Sequence, residues 1–351
     1  DTQDAGELYA RYTRNNVYDD YGAVVKENLP KTLPYMILEG PQLPTVKGTK
    51  VNVSGSYVDP IHPEKSFTFT NASADVQGTS SKDYYIKNIK IKYESGFEMN
   101  GVAVETYAMR EDSIPVNTFT YKADVASSEG ANNVVLAQLY NDLCPVKTPA
   151  QEADSRVRQT IDGHPIVIFW DNGTDVTFIG KYNFNNDKGT PEVFGFKDGD
   201  ESWEIRENGS DRVGFRVCDF SEGSGWENEF EARYPEDNKD TTNLAIFASW
   251  LASTYRGGAT GNAIDAVTYD GVEYTTDTAE YRLAKYKAEL ADHADVDALV
   301  FYYVFTEIFL CIDQREKNAF PTLYADMGKW IVLFYDADSS LGTDNKGNLA
   351  F

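Results

Sequence analysis

Asp313-Gln-Arg-Glu-Lys-Asn318, followed beyond a tryptophan-bearing hairpin by Tyr335-Asp336-Ala-Asp338, is the stretch that decides how this chain reads. The run before it, Val296 to Ile312, is the most apolar segment, and Asp295 or Asp297 is placed to cap a buried helix running to Leu310. After Asn318, Pro321 to Tyr335 reads as a hairpin with Trp330-Ile-Val-Leu-Phe-Tyr335 as its second strand. Asp313, Asn318, Asp336 and Asp338 therefore fall in loops at the ends of rigid elements, where chemistry tends to sit. One aspartate can accept a hydroxyl proton. The asparagine and the later aspartates offer oxygens to Mg²⁺, which prefers a few carboxylates completed by phosphate and water. Taken singly, these residues are also common turn and cap residues, and an Asp with an Asn five positions on recurs by chance, so both readings stay open.

Upstream of this stretch, helices are expected over Thr242 to Tyr255 and after Thr276-Asp277, with Leu283, Tyr286 and Leu290 on one face. Glu129 to Leu143 carries Val135, Leu136, Leu139 and Leu143 at helical spacing. Between Tyr35 and Tyr121 the pattern is that of strands: Val51-Asn-Val-Ser, Ser66-Phe-Thr-Phe-Thr and Ile86-Lys-Asn-Ile-Lys-Ile-Lys-Tyr93 alternate. Asp171-Asn172-Gly173 is a hairpin turn between two further strands, and residues 181 to 240 read as loops with short strands. Strands first and helices later predict an α+β fold of two lobes: an arm over 1–34, a β-rich N-terminal lobe over 35–240 and a helical C-terminal lobe over 241–351.

Lysine and arginine total 32 against 56 aspartates and glutamates, a net charge of −24. Binding to nucleic acid or anionic membrane depends on neutralising phosphates, and this charge argues against both as partners. The apolar run is short of a membrane span and contains Asp297 and Glu307. Cys144, Cys218 and Cys311 are far apart and odd in number, so they imply no disulfide framework, and Cys311 reads as a core residue. His62, His164 and His293 share no metal-ligand spacing. The chain starts at Asp1 without a signal peptide and stops soon after a motif, so a fragment or processed form is expected.

A phosphate-binding reading needs a lysine and a covering turn from the β-rich half. Lys87 is the candidate lysine, and Gln77-Gly78-Thr79-Ser80-Ser81 is the candidate turn, with backbone N–H groups that can cradle phosphates. The plainer alternative is a solvent-facing amphipathic strand, in which Lys90 and Lys92 alternate with Ile89 and Ile91. Asp336-Ala-Asp338-Ser-Ser340-Leu-Gly342-Thr-Asp344 also invites a calcium-loop reading. It fits an EF-hand poorly, since Leu341 stands where glycine is wanted and Gly347 where the bidentate glutamate is wanted.

In this order, the segments resemble the spore-coat CotH family of atypical protein kinases. The carrying residues are Gln77-Gly-Thr-Ser-Ser81 with Lys87-Asn88, Tyr303-Val-Phe-Thr-Glu-Ile-Phe309 with Asp313 and Lys317-Asn318, and Trp330 through Asp336-Ala-Asp338-Ser-Ser-Leu-Gly342. The resemblance spans roughly residues 40 to 351, and its last two blocks are the more specific. It implies a two-lobed atypical-kinase fold and Mg-ATP-dependent phosphoryl transfer to Ser or Thr of a structural protein, with Mn²⁺ as the other candidate ion. Lys87, Gly78, Ser80 and Ser81 would meet the nucleotide and Asp313 would be the catalytic aspartate. Asn318 and Asp336 would hold the metal, with Asp338 as a further carboxylate.

Two positions depart from the family pattern: Gln77 stands where Arg is common, and Asn185 where many relatives carry a glutamate that anchors the lysine. Lys122-Ala-Asp124 with Ser127-Ser128 and Asn133, Gly180-Lys-Tyr-Asn-Phe-Asn-Asn-Asp-Lys188 and Gly342-Thr-Asp-Asn-Lys-Gly347 look like CotH-like domains of tailed-phage and prophage structural proteins. That narrower likeness implies, as the alternative, a catalytically weak or inactive virion or tail module with coat-protein partners. A third reading is a binding domain stabilised by a cation on Asp336, Asp338 and Asp344.

Overall fold

Alternation of apolar and polar side chains builds the first half of the chain into nine strands. These are β1 (Tyr35–Glu39), β2 (Val51–Val58), β3 (Phe67–Gln77), β4 (Asn88–Lys92), β5 (Phe97–Met99), β6 (Val102–Val104), β7 (Thr118–Lys122), β8 (Gly163–Asp171) and β9 (Val176–Asn186). The computed structural model describes residues 29–349 apart from 79–80, 128–129, 207–218, 256–260, 262, 315–316 and 345. Most of the arm expected over 1–34, and Ser80 of the expected phosphate turn, lie outside the described residues.

The strands run in the order β2-β1-β8-β9-β7-β4-β3-β5-β6, and β2 also pairs with β3. That extra pairing closes seven strands into a barrel, with β5 and β6 appended. β3 is long enough, at 11 residues, to pair with β2 along one edge and β4 along the other. Every second side chain points inward, and rings fill the interior: Tyr57, Phe67, Tyr93, Phe119, Tyr121 and Phe184 are at most 2% exposed. Burying each such ring contributes about 2–3 kcal/mol. The buried phenols of Tyr93 and Tyr121 meet at 2.5 Å, and Tyr57 Oη meets His164 Nε2 at 2.9 Å, so the polar tips are satisfied inside the barrel.

The expected two-lobed, kinase-like α+β fold with a helical C-terminal lobe is therefore corrected. The molecule is strand-rich, with a closed seven-stranded barrel, and among the described residues it has six α-helices. These are α1 (Asn132–Leu143), α2 (Pro149–Ala153), α3 (Pro191–Phe194), α4 (Thr242–Tyr255), α5 (Ala279–His293) and α6 (Val296–Ile308). The part read as helical also holds strands β12 (Ala263–Tyr269) and β13 (Val272–Thr276), then β14 (Ala319–Tyr324) and β15 (Lys329–Phe334). β12 and β13 meet at Asp270-Gly271, both with positive φ (52° and 75°), a tight-turn signal that the helical reading passed over.

Two compact units divide the chain. The first comprises the described residues of Asp1–Leu139, Ser155–Val193 and Ala337–Phe351; the second, those of Tyr140–Asp154 and Phe194–Asp336. The barrel belongs to the first. Within the second, β10 (Glu201–Ile205) and β11 (Phe230–Tyr234) join β14 and β15 in a four-stranded sheet ordered β11-β10-β14-β15. Its core stacks Tyr140 on Phe334 at 5.0 Å and Phe247 on Trp330 at 5.1 Å. Asp295 caps α6 by accepting the Ala298 N–H at 2.9 Å. No helix among the described residues is long and apolar enough to cross a membrane.

Candidate functional site

The β14–β15 hairpin gathers three of the expected residues at one end. Ala319 pairs with Phe334 across the hairpin. Asn318 immediately precedes Ala319, and Asp336 lies two residues past Phe334. Both take left-handed backbone, with φ of 56° and 57°, which Asn and Asp tolerate better than other non-glycine residues. Asp313 is brought to the same end by its neighbour. Gln314 is fully buried, and its Nε2 donates to the carbonyls of Tyr335 at 3.2 Å and Asp336 at 2.6 Å. The Gln314 carbonyl in turn accepts the hydroxyl of Tyr302 on α6. The loop after α6 and the loop after β15 are thereby stapled together by one amide.

Asp313 itself is 2% exposed, and its Oδ2 lies 3.1 Å from Lys317 Nζ. A buried carboxylate needs such a partner, because an isolated charge there is costly to desolvate. The Lys317 ammonium thus stands beside the carboxylate, although Asp313 Oδ2 makes no hydrogen bond of good geometry among the described residues. Among the described residues no group of three or more His, Cys, Asp or Glu side chains is placed to hold a metal ion. Mg²⁺ needs only one or two side-chain oxygens from a protein where phosphate oxygens and water complete its coordination.

The remaining expected residues belong to the first unit. Lys87 lies one residue before β4, and its ammonium donates to the carbonyls of Lys82 at 2.8 Å and Tyr84 at 2.5 Å. It closes the turn at 81–84. Ser81 Oγ accepts from Asn88 Nδ2 at 3.1 Å, and the Gly78 carbonyl accepts from Lys47 Nζ at 2.9 Å, so the turn is tied into its own unit. Asp338 is partly exposed, and its Oδ1 takes the Ser339 hydroxyl at 3.3 Å. Between the two aspartates of Asp336-Ala-Asp338, Ala337 is fully buried. Its N–H donates to Asn133 Oδ1 at 3.3 Å and its carbonyl accepts Ser340 Oγ at 2.6 Å.

Sequence reasoning missed the anchored lysine. It is Lys90, on β4, whose Nζ lies 2.8 Å from Asp187 Oδ1. Asp187 is 3% exposed and also accepts from Thr120 Oγ1 at 2.8 Å and the Gly189 N–H at 2.9 Å. Burial pushes its carboxyl up, but the Lys90 charge and these hydrogen bonds outweigh burial and hold it below the usual range. Asn185, two residues earlier, faces Thr120 and Gly163 across the strands, is fully buried and anchors no lysine among the described residues. The signal available was alternation on β9, which puts Asn185 and Asp187 on one face.

The segments of the narrower likeness also meet within the first unit. Asn183 Nδ2 donates to the Asp124 carboxylate and to the Gly130 carbonyl at 2.8 Å, and Lys181 Nζ donates to Asn183 Oδ1 at 3.1 Å. Burial lowers the Lys181 ammonium's pKa, against the pull of Asp124. The cation reading of the 336–344 loop loses Asp344. Its Oδ1 accepts the N–H groups of Lys346 and Asn348, and its Oδ2 accepts Asn348 Nδ2, so the carboxylate serves as a turn cap. Leu341, where a calcium loop wants glycine, has a φ of 56°, a backbone strained for a branched side chain. Cys311 is core as expected: burial pushes its thiol up to about 12, which leaves it inert.

No known protein-family model matches the chain, and no curated protein matches it either.

Proposed function

We propose that the protein is a phosphotransferase that moves the γ-phosphoryl group of Mg-ATP to a Ser or Thr hydroxyl of a structural protein. The observation that carries the reading is the Gln314 staple, which draws the Asp313 and Asp336 loops to the hairpin end where Asn318 lies. Asp313, with the Lys317 ammonium 3.1 Å away, would accept the hydroxyl proton as the hydroxyl oxygen bonds to phosphorus and ADP leaves. Asn318 and Asp336 would hold the metal ion, with Asp338 as a further carboxylate. The ion's contribution when bound is neutralisation of charge on the β- and γ-phosphate oxygens. The likeness to the CotH family points the same way, through the order of its motifs.

One observation favours the second reading, a catalytically silent phage virion or tail module. The lysine at the family's position, Lys87, spends its donors on backbone carbonyls, and Asn185 replaces its acidic anchor. Intact-mass measurement after incubation with Mg-ATP separates the two. Autophosphorylation that Asp313→Asn lowers by about 10²–10⁴-fold supports transfer. An unchanged mass in the folded wild type, with and without casein as a generic acceptor, supports the silent module.

A further inference from the structure

Lys181 and Asn183 stand two positions apart on β9, so alternation puts both side chains on one face of the strand, about 6.6 Å apart along it. A lysine side chain is long enough to close that gap, and it does: Lys181 Nζ donates to Asn183 Oδ1 at 3.1 Å. Gly130 leaves room for it. A Cβ at Gly130 would stand 2.9 Å from Lys181 Nζ, so a larger residue there would displace the amine. Asn183 is fully buried, and two acceptors fix which way its amide points: Nδ2 donates to the Asp124 carboxylate and, at 2.8 Å, to the Gly130 carbonyl.

An amine, a carboxamide and a carboxylate are thus held in series within the first unit. The amine sits at the oxygen end of the carboxamide and the carboxylate at its nitrogen end. An amine held against a carboxamide is a nucleophile facing an electrophile, and fixed proximity lowers the barrier between them. The Lys181 hydrogen bond polarises the carbonyl, and a small rotation of the lysine chain carries Nζ from Oδ1 to the adjacent Cγ. Asp124 lies against the nitrogen that would leave. Burial lowers the pKa of Lys181, although Asp124 opposes it, so the neutral amine is easier to reach than in an exposed lysine.

We propose that Lys181 Nζ and Asn183 Cγ join in an intramolecular isopeptide bond, with Asp124 as the proton carrier. Lys181 passes a proton to Asp124, and the neutral amine bonds to Cγ. Asp124 gives the proton to Nδ2 as the Cγ–Nδ2 bond breaks and ammonia leaves. The ammonia takes the surplus proton of the new amide nitrogen, so ammonium is released and Asp124 ends ionised, as it began. No other reactant is needed. A half-buried ammonium is replaced by a neutral amide, which removes a desolvation cost. The proposal stands apart from phosphoryl transfer.

Intact-mass measurement of the whole chain, followed by peptide mapping, tests it. The wild type should be lighter than its sequence by one ammonia, trypsin should not cut after Lys181, and fragment ions between Lys181 and Asn183 should be missing. Lys181→Arg keeps the positive charge but supplies a guanidinium that does not deprotonate, and it should show the full mass. Asp124→Asn should close about 10²–10⁴-fold more slowly after cell-free synthesis. Circular dichroism checks that each variant is folded. The full sequence mass in the folded wild type overturns the proposal, as does closure at an unchanged rate in Asp124→Asn. So does an ammonia loss that maps to Asn172-Gly173, that persists in Lys181→Arg, or that joins Asn183 to its cross-strand neighbour Lys122.

Discussion

His164 illustrates what a single buried residue does to the energetics of the barrel. It hydrogen-bonds Tyr57 at 2.9 Å, and burial is the main cause that lowers its pKa to about 4, aided by Arg110 and Lys65 and opposed by Asp59. The unfolded imidazole takes its proton near pH 6.5, whereas the folded one refuses it down to about 4. The stabilisation from the neutral ring is therefore complete above about pH 6.5, is lost as pH falls from there toward 4, and levels off below. That window is worth about 3 kcal/mol. Urea unfolding at pH 7 and pH 4.5 should show wild type losing roughly 2–3 kcal/mol more than His164→Gln; parallel losses would contradict the assignment. At this scale the sequence was legible only where the residue type itself carries the geometry. Asn172 Oδ1 does accept the N–H groups of Thr174 and Asp175 in the expected hairpin turn. Gln314 and the Lys90–Asp187 pair were silent. A glutamine in a loop has no preferred role, and the ion pair joins residues 97 positions apart.

The strands and helices show which local signals travel upward. Apolar alternation identified β2, β3 and β4, and helical spacing identified α1 and α5, because each pattern reports its element's period, although Val135, Leu143 and Leu283 of those stripes are exposed. Partner choice left no such trace, so the closure of β2 onto β3 was not readable. Closure rests on close backbone approach at Gly55, which pairs with Leu38 on one side and Phe69 on the other. A Cβ there would stand 2.1 Å from the Ile37 carbonyl oxygen, part of the backbone of β1. Gly55→Ala should thus destabilise the fold by about 1–3 kcal/mol, read as a lower urea midpoint. A neutral substitution would mean that β1 and β2 separate more easily than this barrel allows.

For the whole molecule, the lobed architecture expected from the order of strands and helices gave way to a closed barrel unit and a second unit of mixed sheet and helices. The order of elements along a chain constrains layering only when strands pair with near neighbours, and here β1 pairs in parallel with the distant β8. The hairpin-end cluster was more legible than the fold, since Asp313, Asn318 and Asp336 are near in sequence and flank rigid elements. In the proposed function, the cluster of Asp313, Asn318 and Asp336 serves a metal–nucleotide substrate. Its most direct test is calorimetry of ATP binding with Mg²⁺ or Mn²⁺ to the wild type and Asp336→Ala. The expected result is metal-dependent binding by the wild type and loss of the metal dependence, with affinity at least about tenfold weaker, in Asp336→Ala. A folded wild type that binds no ATP with either ion, or binding that Asp336→Ala leaves unaltered, would contradict it.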